Sequence, residues 1–241
     1  MAPWTPATLE TDRWETPTAR TLVLSVPGWT GHRPGQHVDL RLRAPDGYTA
    51  ERSYSIASAS GPDRLEITVQ LDPDGEVSPY LVHDFTPGDQ VELRGPLGGW
   101  FVWDTTSPDP VVLIGGGSGI VPLAGMVRER RRTGNRALFR LLYSLRTPDD
   151  RYYRTELGPA AGPGVDVFLA YTRTAPPGSA RGPKRLSVAD LNTHGLPAEL
   201  TPVCFVCGPT PFVETVADGL LALGHDPHRI RTERYGSGGG R

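Results

Sequence analysis

Glu51-Arg52-Ser53-Tyr54-Ser55-Ile56-Ala57-Ser58 is the stretch whose reading decides the rest of the chain. Tyr54 and Ile56 favour a strand, and Ser60-Gly61-Pro62 supplies the turn that ends it. Side chains alternate across a strand, so Arg52 and Tyr54 share one face. A permanently charged planar guanidinium beside an aromatic ring suits a ligand that combines phosphates with a flat heterocycle, and Ser55 can bond the edge of such a ring. The same residues also fit a plain edge strand with a surface arginine, so the neighbouring sequence has to decide.

Working outward, Leu22-Val23-Leu24, Val38 to Leu42, Leu65 to Val69 and Val91 to Leu93 are short apolar or alternating runs. Turns at Pro27-Gly28, Pro34-Gly35, Pro45-Asp46-Gly47 and Pro87-Gly88-Asp89 separate them. The pattern over residues 18–94 predicts an antiparallel barrel or sandwich, of which a small barrel is favoured. One helix is expected inside it, with Ser78 as N-cap and Pro79 at the first helical position. Its N-terminus would offer free backbone N–H groups to a pyrophosphate near Arg52.

The grammar changes after Thr105-Thr106-Ser107-Pro108-Asp109-Pro110, which places a domain boundary between residues 107 and 108. Val111-Val112-Leu113-Ile114 is continuously apolar, as a strand covered on both faces must be, and Gly115-Gly116-Gly117-Ser118-Gly119 leads from it into a helix beginning at Ile120. Strands near 138–144, 165–171, 203–207 and 229–233, with helices near 152–157 and 212–223, predict a parallel α/β sheet. Glycines after the first strand let the backbone approach a pyrophosphate, whose charge the following helix N-terminus favours. Cys204 and Cys207 lie three apart on one strand, which points them to opposite faces and argues against a redox pair.

The 241 residues suffice for two domains. The 25 basic and 27 acidic residues leave a formal charge of −2, which offers no broad footprint for nucleic acid or an anionic membrane. No apolar run reaches membrane-spanning length and residues 1–10 do not read as a secretory signal, so a cytoplasmic protein is expected. Two cysteines fall short of the four that ligate an ordinary iron–sulfur cluster, so no metal site is expected.

The Arg52-x-Tyr54-Ser55-Ile56-Ala57-Ser58 run resembles the flavin motif of the ferredoxin-NADP reductase superfamily, and the resemblance extends over residues 18–235. It implies an FAD-binding β-barrel domain over residues 1–107 and a Rossmann-like NAD(P)-binding α/β domain over residues 108–241. By the resemblance, Arg52 meets the flavin pyrophosphate, Tyr54 stacks on the isoalloxazine and Ser55 bonds its reactive nitrogen. Gly75, Val77 and Ser78 match the segment that lies against the pyrophosphate, and Gly95-Pro96-Leu97-Gly98 matches a turn closing that domain. Gly116, Gly117 and Gly119 fall in the matching pyridine-nucleotide loop, and Cys207-Gly208-Pro209 matches the segment beside the nicotinamide, where Cys207 would position hydride transfer. Glu233 and Tyr235 match a terminal Glu-x-Tyr, in which the acid relays protons and the aromatic covers the flavin face. The chain departs from the plant-type pattern because Gly236 to Arg241 follow the aromatic.

The resemblance implies a hydride donor, NADPH or NADH. NADPH needs cations at its ribose phosphate, and Thr172-Arg173, Arg146, Arg181, Lys184 and Arg185 are the candidates. The implied activity is NAD(P)H oxidation through FAD to a separate one-electron carrier, a ferredoxin or flavodoxin, or to a redox enzyme. Reduction of free flavins, ferric complexes or other small acceptors, and a subunit role without turnover, stay open. Arg128-Glu129-Arg130-Arg131-Arg132, with Arg136 and Arg140, reads either as a docking face for an acidic carrier or as a solvated helix end.

Overall fold

A computed structural model describes residues 3–158 and 161–235. The chain divides into two compact units, residues 1–104 with 124–129, and residues 105–123 with 130–241.

The first unit is a six-stranded antiparallel sheet. Its strands are β1 (Thr5–Thr16), β2 (Ala19–Ser25), β3 (His37–Arg43), β4 (Thr49–Ser55), β5 (Arg64–Gln70) and β6 (Gln90–Leu97), in the order β4-β3-β6-β1-β2-β5. Alternate residues point inward, and Leu22, Leu24, Val38, Leu40, Leu65, Ile67 and Leu93 fill the interior with at most 1 % of their surface exposed. The sheet curls like a barrel without closing: β4 and β5 are its two edges, joined by the Ile56–Ile67 bridge and the bond from Ala57 N–H to the Glu66 carbonyl. The strand β1 lies ahead of the region expected to be barrel. Only Ala7 and Leu9 of its early residues are deeply buried, so its apolar signal is faint. Gly95 and Pro96 continue β6, and the turn expected there begins at Gly98, whose φ of +90° suits glycine.

The helix expected from Ser78 is a five-residue π-helical turn, Tyr80–Asp84, and Ser78 does not cap it. The Ser78 hydroxyl instead accepts from Asp72 N–H (3.0 Å) and donates to the Asp72 carbonyl (3.3 Å), closing a tight loop over residues 72–78. The buried guanidinium of Arg20 holds the far end of the turn, donating to the carbonyls of Leu81, Val82 and Phe85 while its Nε meets Asp12 at 2.8 Å. That ion pair holds the Asp12 carboxyl below its usual range.

The second unit is a five-stranded parallel sheet. Strands β7 (Val111–Gly116), β8 (Phe139–Leu145), β9 (Val165–Tyr171), β10 (Val203–Pro209) and β11 (Ile230–Tyr235) lie in the order β11-β10-β7-β8-β9. Chain direction along the sheet reverses between β7 and β10, the switch point at which doubly wound sheets bind ligands. Helix α1 (Ile120–Thr133) follows β7 and ends on Gly134 at φ +68°. Helix α2 (Val188–His194) was not expected. Its Ser187–Asp190 capping box is the local signal that marks it. Helix α3 (Thr210–Ala222) follows β10. Residues 152–157, expected as a helix, form a turn: Tyr153 takes φ +53°, which no right-handed helix allows, and its carbonyl accepts from both Glu156 and Leu157. No helix among the described residues is long and apolar enough to cross a membrane.

Candidate flavin and nucleotide sites

On the first unit, β4 presents Arg52 and Tyr54 on one face as its alternation predicts, opposite Leu40 and Val38 of β3. Tyr54 packs against the barrel core, and burial pushes its phenol well above the usual range, so it stays neutral. The Arg52 side chain is about half exposed, lies 3.7 Å from Glu76 and donates to the Glu51 carbonyl at 2.7 Å. Ser55 ends the strand opposite His37. Gly75 sits where a Cβ would come within 3.2 Å of the Asp72 carbonyl and the Ser78 hydroxyl, so only glycine closes that loop without displacement. The Val77 side chain is fully buried, which leaves its backbone as the part a ligand could use. An exposed guanidinium beside a neutral aromatic, next to a glycine-closed loop, fits the phosphates and ring of a flavin nucleotide.

On the second unit, the switch point brings together segments far apart in sequence. Cys207 pairs in register with Gly115 on one side and with Glu233 on the other. A Cβ on Gly119 would fall 2.1 Å from the Cys207 carbonyl, and one on Gly116 or Gly208 would fall 2.7 Å from the Phe212 ring. These glycines hold the backbone of β7, β10 and the loop in contact, leaving a side-chain-free cradle at the start of α1. Phe212, on the first turn of α3, packs beneath two of the glycines and escaped the motif reading. Gly117 takes φ +56°, and the Tyr235 hydroxyl reaches into the loop, donating to the Gly116 carbonyl (2.5 Å) and accepting from Gly119 N–H (3.1 Å). Pro209 lies opposite Tyr235 at the end of β10. The residues after Tyr235, Gly236 to Arg241, fall outside the described set.

Burial governs the ionisable groups here. Glu233 is pushed up from 4.5 to about 7, and its buried Oε2 has no hydrogen-bond partner. The Cys207 thiol is driven far above its ordinary value, first by burial and then by Glu233, and Cys204 is pushed up to about 12 by burial. Both cysteines are free and buried; Cys204 faces His225 Nδ1 at 3.8 Å inside the core. Thiols this hard to ionise are not nucleophiles, in keeping with a positioning role for Cys207.

Of the cations considered for a ribose phosphate, Arg146 and Arg173 are exposed at the adjoining ends of β8 and β9, where Arg173 N–H meets the Arg146 carbonyl at 2.9 Å. Thr172 lies between, its N–H bonded to the Leu145 carbonyl. Lys184 and Arg185 are exposed on a segment tied to β9 by the bond from Lys184 N–H to the Tyr171 carbonyl. Arg181 is a correction. Its guanidinium grips Asp190 through two bonds and donates to the carbonyls of Tyr171, Lys184 and Arg185, so it holds this segment together. The arginine run of α1 is likewise largely committed internally. Arg128 donates to the Ala57 carbonyl and Glu66, buried Arg130 to the carbonyls of Ala137 and Pro163, Arg131 to Glu156, and Arg140 to Asp166. Most of these arginines therefore serve the fold, whereas Arg132 and Arg136 are exposed.

Residues 7–102 match the family model for an oxidoreductase FAD-binding domain, and residues 113–218 that for an oxidoreductase NAD-binding domain. A glycine betaine monooxygenase reductase subunit from Chromohalobacter salexigens is 32% identical over 212 residues, covering 85% of this chain and 56% of its own. A flavohemoprotein from Rhodopirellula baltica is 29% identical over 217 residues, covering 85% and 53%. The chain thus spans about half the length of these curated relatives. Among solved structures, the flavohem-like FAD/NAD-binding domain of nitric oxide dioxygenase from Vibrio cholerae superposes with a TM-score of 0.85 at 26% identity, covering 96% of this chain and 98% of that one. A cytochrome P450 reductase from Amycolatopsis superposes with a TM-score of 0.82 at 26% identity, covering 97% and 71%. With the flavin motif on β4 of the antiparallel unit and the glycine cradle at the switch point of the parallel unit, the chain belongs to the ferredoxin-NADP reductase superfamily of flavoprotein oxidoreductases, an FAD-binding domain followed by an NAD-binding domain.

Proposed function

We propose that this chain takes hydride from NADPH in preference to NADH and passes the electrons through FAD to a separate acceptor, either a ferredoxin or flavodoxin or an oxygenase-type redox enzyme. The observation that carries the reading is the meeting of the glycine loop, Cys207-Gly208-Pro209 and Glu233 on three neighbouring strands at the switch point. The relatives named as reductase subunits support an acceptor on another protein.

FAD, when bound, accepts two electrons as hydride and releases them singly. The chain's own residues bind, orient and exclude water. The Gly115–Gly119 backbone and the start of α1 would hold the dinucleotide pyrophosphate, whose charge the helix N-terminus favours. The buried, neutral Cys207 thiol and the side-chain-free Gly208 give the nicotinamide a dry, close-fitting wall, so positioning supplies most of the catalysis. Glu233, with a carboxyl near neutrality and one unpartnered oxygen, can hold or release a proton beside Cys207. With FAD bound, Arg52 would neutralise its phosphates, Tyr54 would offer its ring a face to stack on, and Ser55 would bond the ring edge. NADPH preference is supported by the two exposed guanidiniums of Arg146 and Arg173 at adjoining strand ends.

The deciding experiment is anaerobic titration of the FAD-loaded protein with each nicotinamide cofactor while the flavin absorbance is followed. Rapid bleaching by NADPH, and slower bleaching by NADH, is the expected outcome. A flavin that neither cofactor bleaches would refute hydride transfer.

A further inference from the structure

The parallel sheet of the second unit ends in β9, which pairs only with β8. The bonds from Phe139 N–H to the Gly164 carbonyl and from Thr172 N–H to the Leu145 carbonyl fix the phase of this ladder. Even-numbered residues of β9 bond to β8, so the N–H and C=O groups of the odd-numbered ones point away from the sheet. At the two ends of the strand these groups are taken: Val165 N–H donates to the Gly162 carbonyl at 3.2 Å, and the Tyr171 carbonyl accepts from Lys184 N–H at 3.0 Å. Between them, the Val165 carbonyl, both backbone groups of Val167 and of Leu169, and Tyr171 N–H have no protein partner among the described residues. Natural sheets protect such an edge with lysine, proline or a bulge. Val165-Asp166-Val167-Phe168-Leu169 has none of these: its register with β8 is unbroken, and its one charge, Asp166, is engaged by Arg140.

A cleft of about 670 Å³ lies against this edge, lined by Val165, Val167 and Leu169 of β9 and, from the preceding crossover, by Gly162, Gly164 and Arg151. The three β9 side chains share one face by alternation, and those of Val167 and Leu169 are only half-buried. Arg151 brings an uncompensated charge. Among the described residues its guanidinium bonds only to the Leu157 carbonyl, its buried Nε has no partner, and no carboxylate lies within ion-pair distance. A guanidinium partly withdrawn from water favours an anionic partner.

We propose that the β9 edge is a docking site for an extended segment of another protein, which adds to the sheet as a further strand and sets an acidic side chain against Arg151. The incoming backbone bonds to the groups left open on Val165, Val167, Leu169 and Tyr171, and its apolar side chains on the cleft side cover Val167 and Leu169. A small carboxylate would satisfy Arg151 alone, whereas the open N–H and C=O groups recur at every second residue, a spacing that another strand matches. The cleft shares no residue with the glycine cradle on β7 and β10, so the inference is independent of the cofactors proposed above.

The test measures binding to the whole chain, by fluorescence anisotropy, of fluorescein-labelled pentapeptides in which Val and Thr alternate and Glu replaces each Val in turn. At least one is expected to bind the wild type saturably with a Kd below about 1 mM and to slow deuterium exchange at the Val167 and Leu169 amides. Arg151→Gln is expected to weaken that peptide about tenfold without changing the affinity of its Gln counterpart. Val167→Pro removes an outward N–H and no bond to β8, so it is expected to weaken every peptide about tenfold or more while circular dichroism stays that of the wild type. The same peptide N-methylated along its backbone tests the ladder without altering the protein, and is expected not to bind. Failure of every Glu peptide to bind the wild type, or N-methylation without effect, would overturn the docking site. Affinity that Arg151→Gln leaves intact would overturn the acidic partner. Free N-acetylglutamate binding as tightly as the peptide would make the cleft a small-carboxylate site and overturn the added strand.

Discussion

Glu233 has the most perturbed carboxyl resolved at the nucleotide site, and the direction of its shift makes a stability statement. Its folded-state pKa of about 7 lies above the ordinary 4.5, so between those values the folded chain binds a proton that the unfolded chain has released. Stability attributable to this residue is therefore complete below pH 4.5, declines as pH rises towards 7 and stays low above it. In Glu233→Gln that decline is absent. Urea unfolding of both proteins at pH 5 and pH 8 is expected to show the variant gaining on the wild type by on the order of 2 kcal/mol at the higher pH. Equal changes in both proteins would mean that the carboxyl is solvated after all. At this scale Arg52 and Tyr54 were singled out from residue type and alternation and Gly119 from the glycine run after an apolar strand, whereas Cys207 and Glu233 were named as site residues only through the family resemblance. Ser78 was misjudged. A serine before Pro79 reads as a helix cap, yet its hydroxyl closes the loop onto Asp72, a local competition that sequence alone does not resolve. Glu76 and Phe212 carry no motif and become visible only through their neighbours in space.

The strand–loop–helix element from β7 into α1 depends on close backbone approach more than on propensity. Gly119→Ala would place a methyl group 2.1 Å from the Cys207 carbonyl, forcing β10 and the loop apart. It is expected to cost about 3 kcal/mol or more and to abolish nucleotide binding, as measured by urea unfolding and by titration calorimetry with NADP+. Gly134→Ala is the matched control: φ is +68° but nothing lies within 4 Å of the new methyl, so about 1 kcal/mol is lost and nucleotide binding is kept. Similar losses in both variants would show that the contact with Cys207 is not the constraint. Elements with regular periodicity, such as β2, β5, β7 and α3, were legible. The strand β1 was not, since only a few of its residues enter the core and its pairing with β6 spans most of the first unit. The stretch at 152–157 misled because its apolar spacing fits a helix while Tyr153 sits in the left-handed region.

For the molecule as a whole, the arginines separate into those that build the fold and those left for a ligand. Arg181→Ala removes a guanidinium bonded to Asp190 and three carbonyls, and with Asp190 left in place it is expected to destabilise the chain by about 3 kcal/mol with the NADPH-to-NADH ratio unchanged. Arg173→Ala is expected to leave stability within about 0.5 kcal/mol and to cut the NADPH-to-NADH ratio of kcat/KM about tenfold. The reverse pattern would move the phosphate contact to the Arg181 segment. The two-domain architecture was readable because each half has its own hydrophobic period, alternating in one and continuous in the other. The incomplete closure of the barrel was not, because it depends on how far β4 and β5 stand apart and on no local signal.

That incomplete closure leaves the strand bearing Arg52 and Tyr54 with a full ladder on one side only, to β3, and a single bridge on the other. Edge strands open to solvent more readily than interior ones. The seam of β4 is therefore expected to be the first place in this unit where backbone amides exchange with deuterium. A flavin gripping that strand would act as a clasp, and the slowing of exchange along β4 on adding FAD would report how much of the local order the cofactor itself supplies.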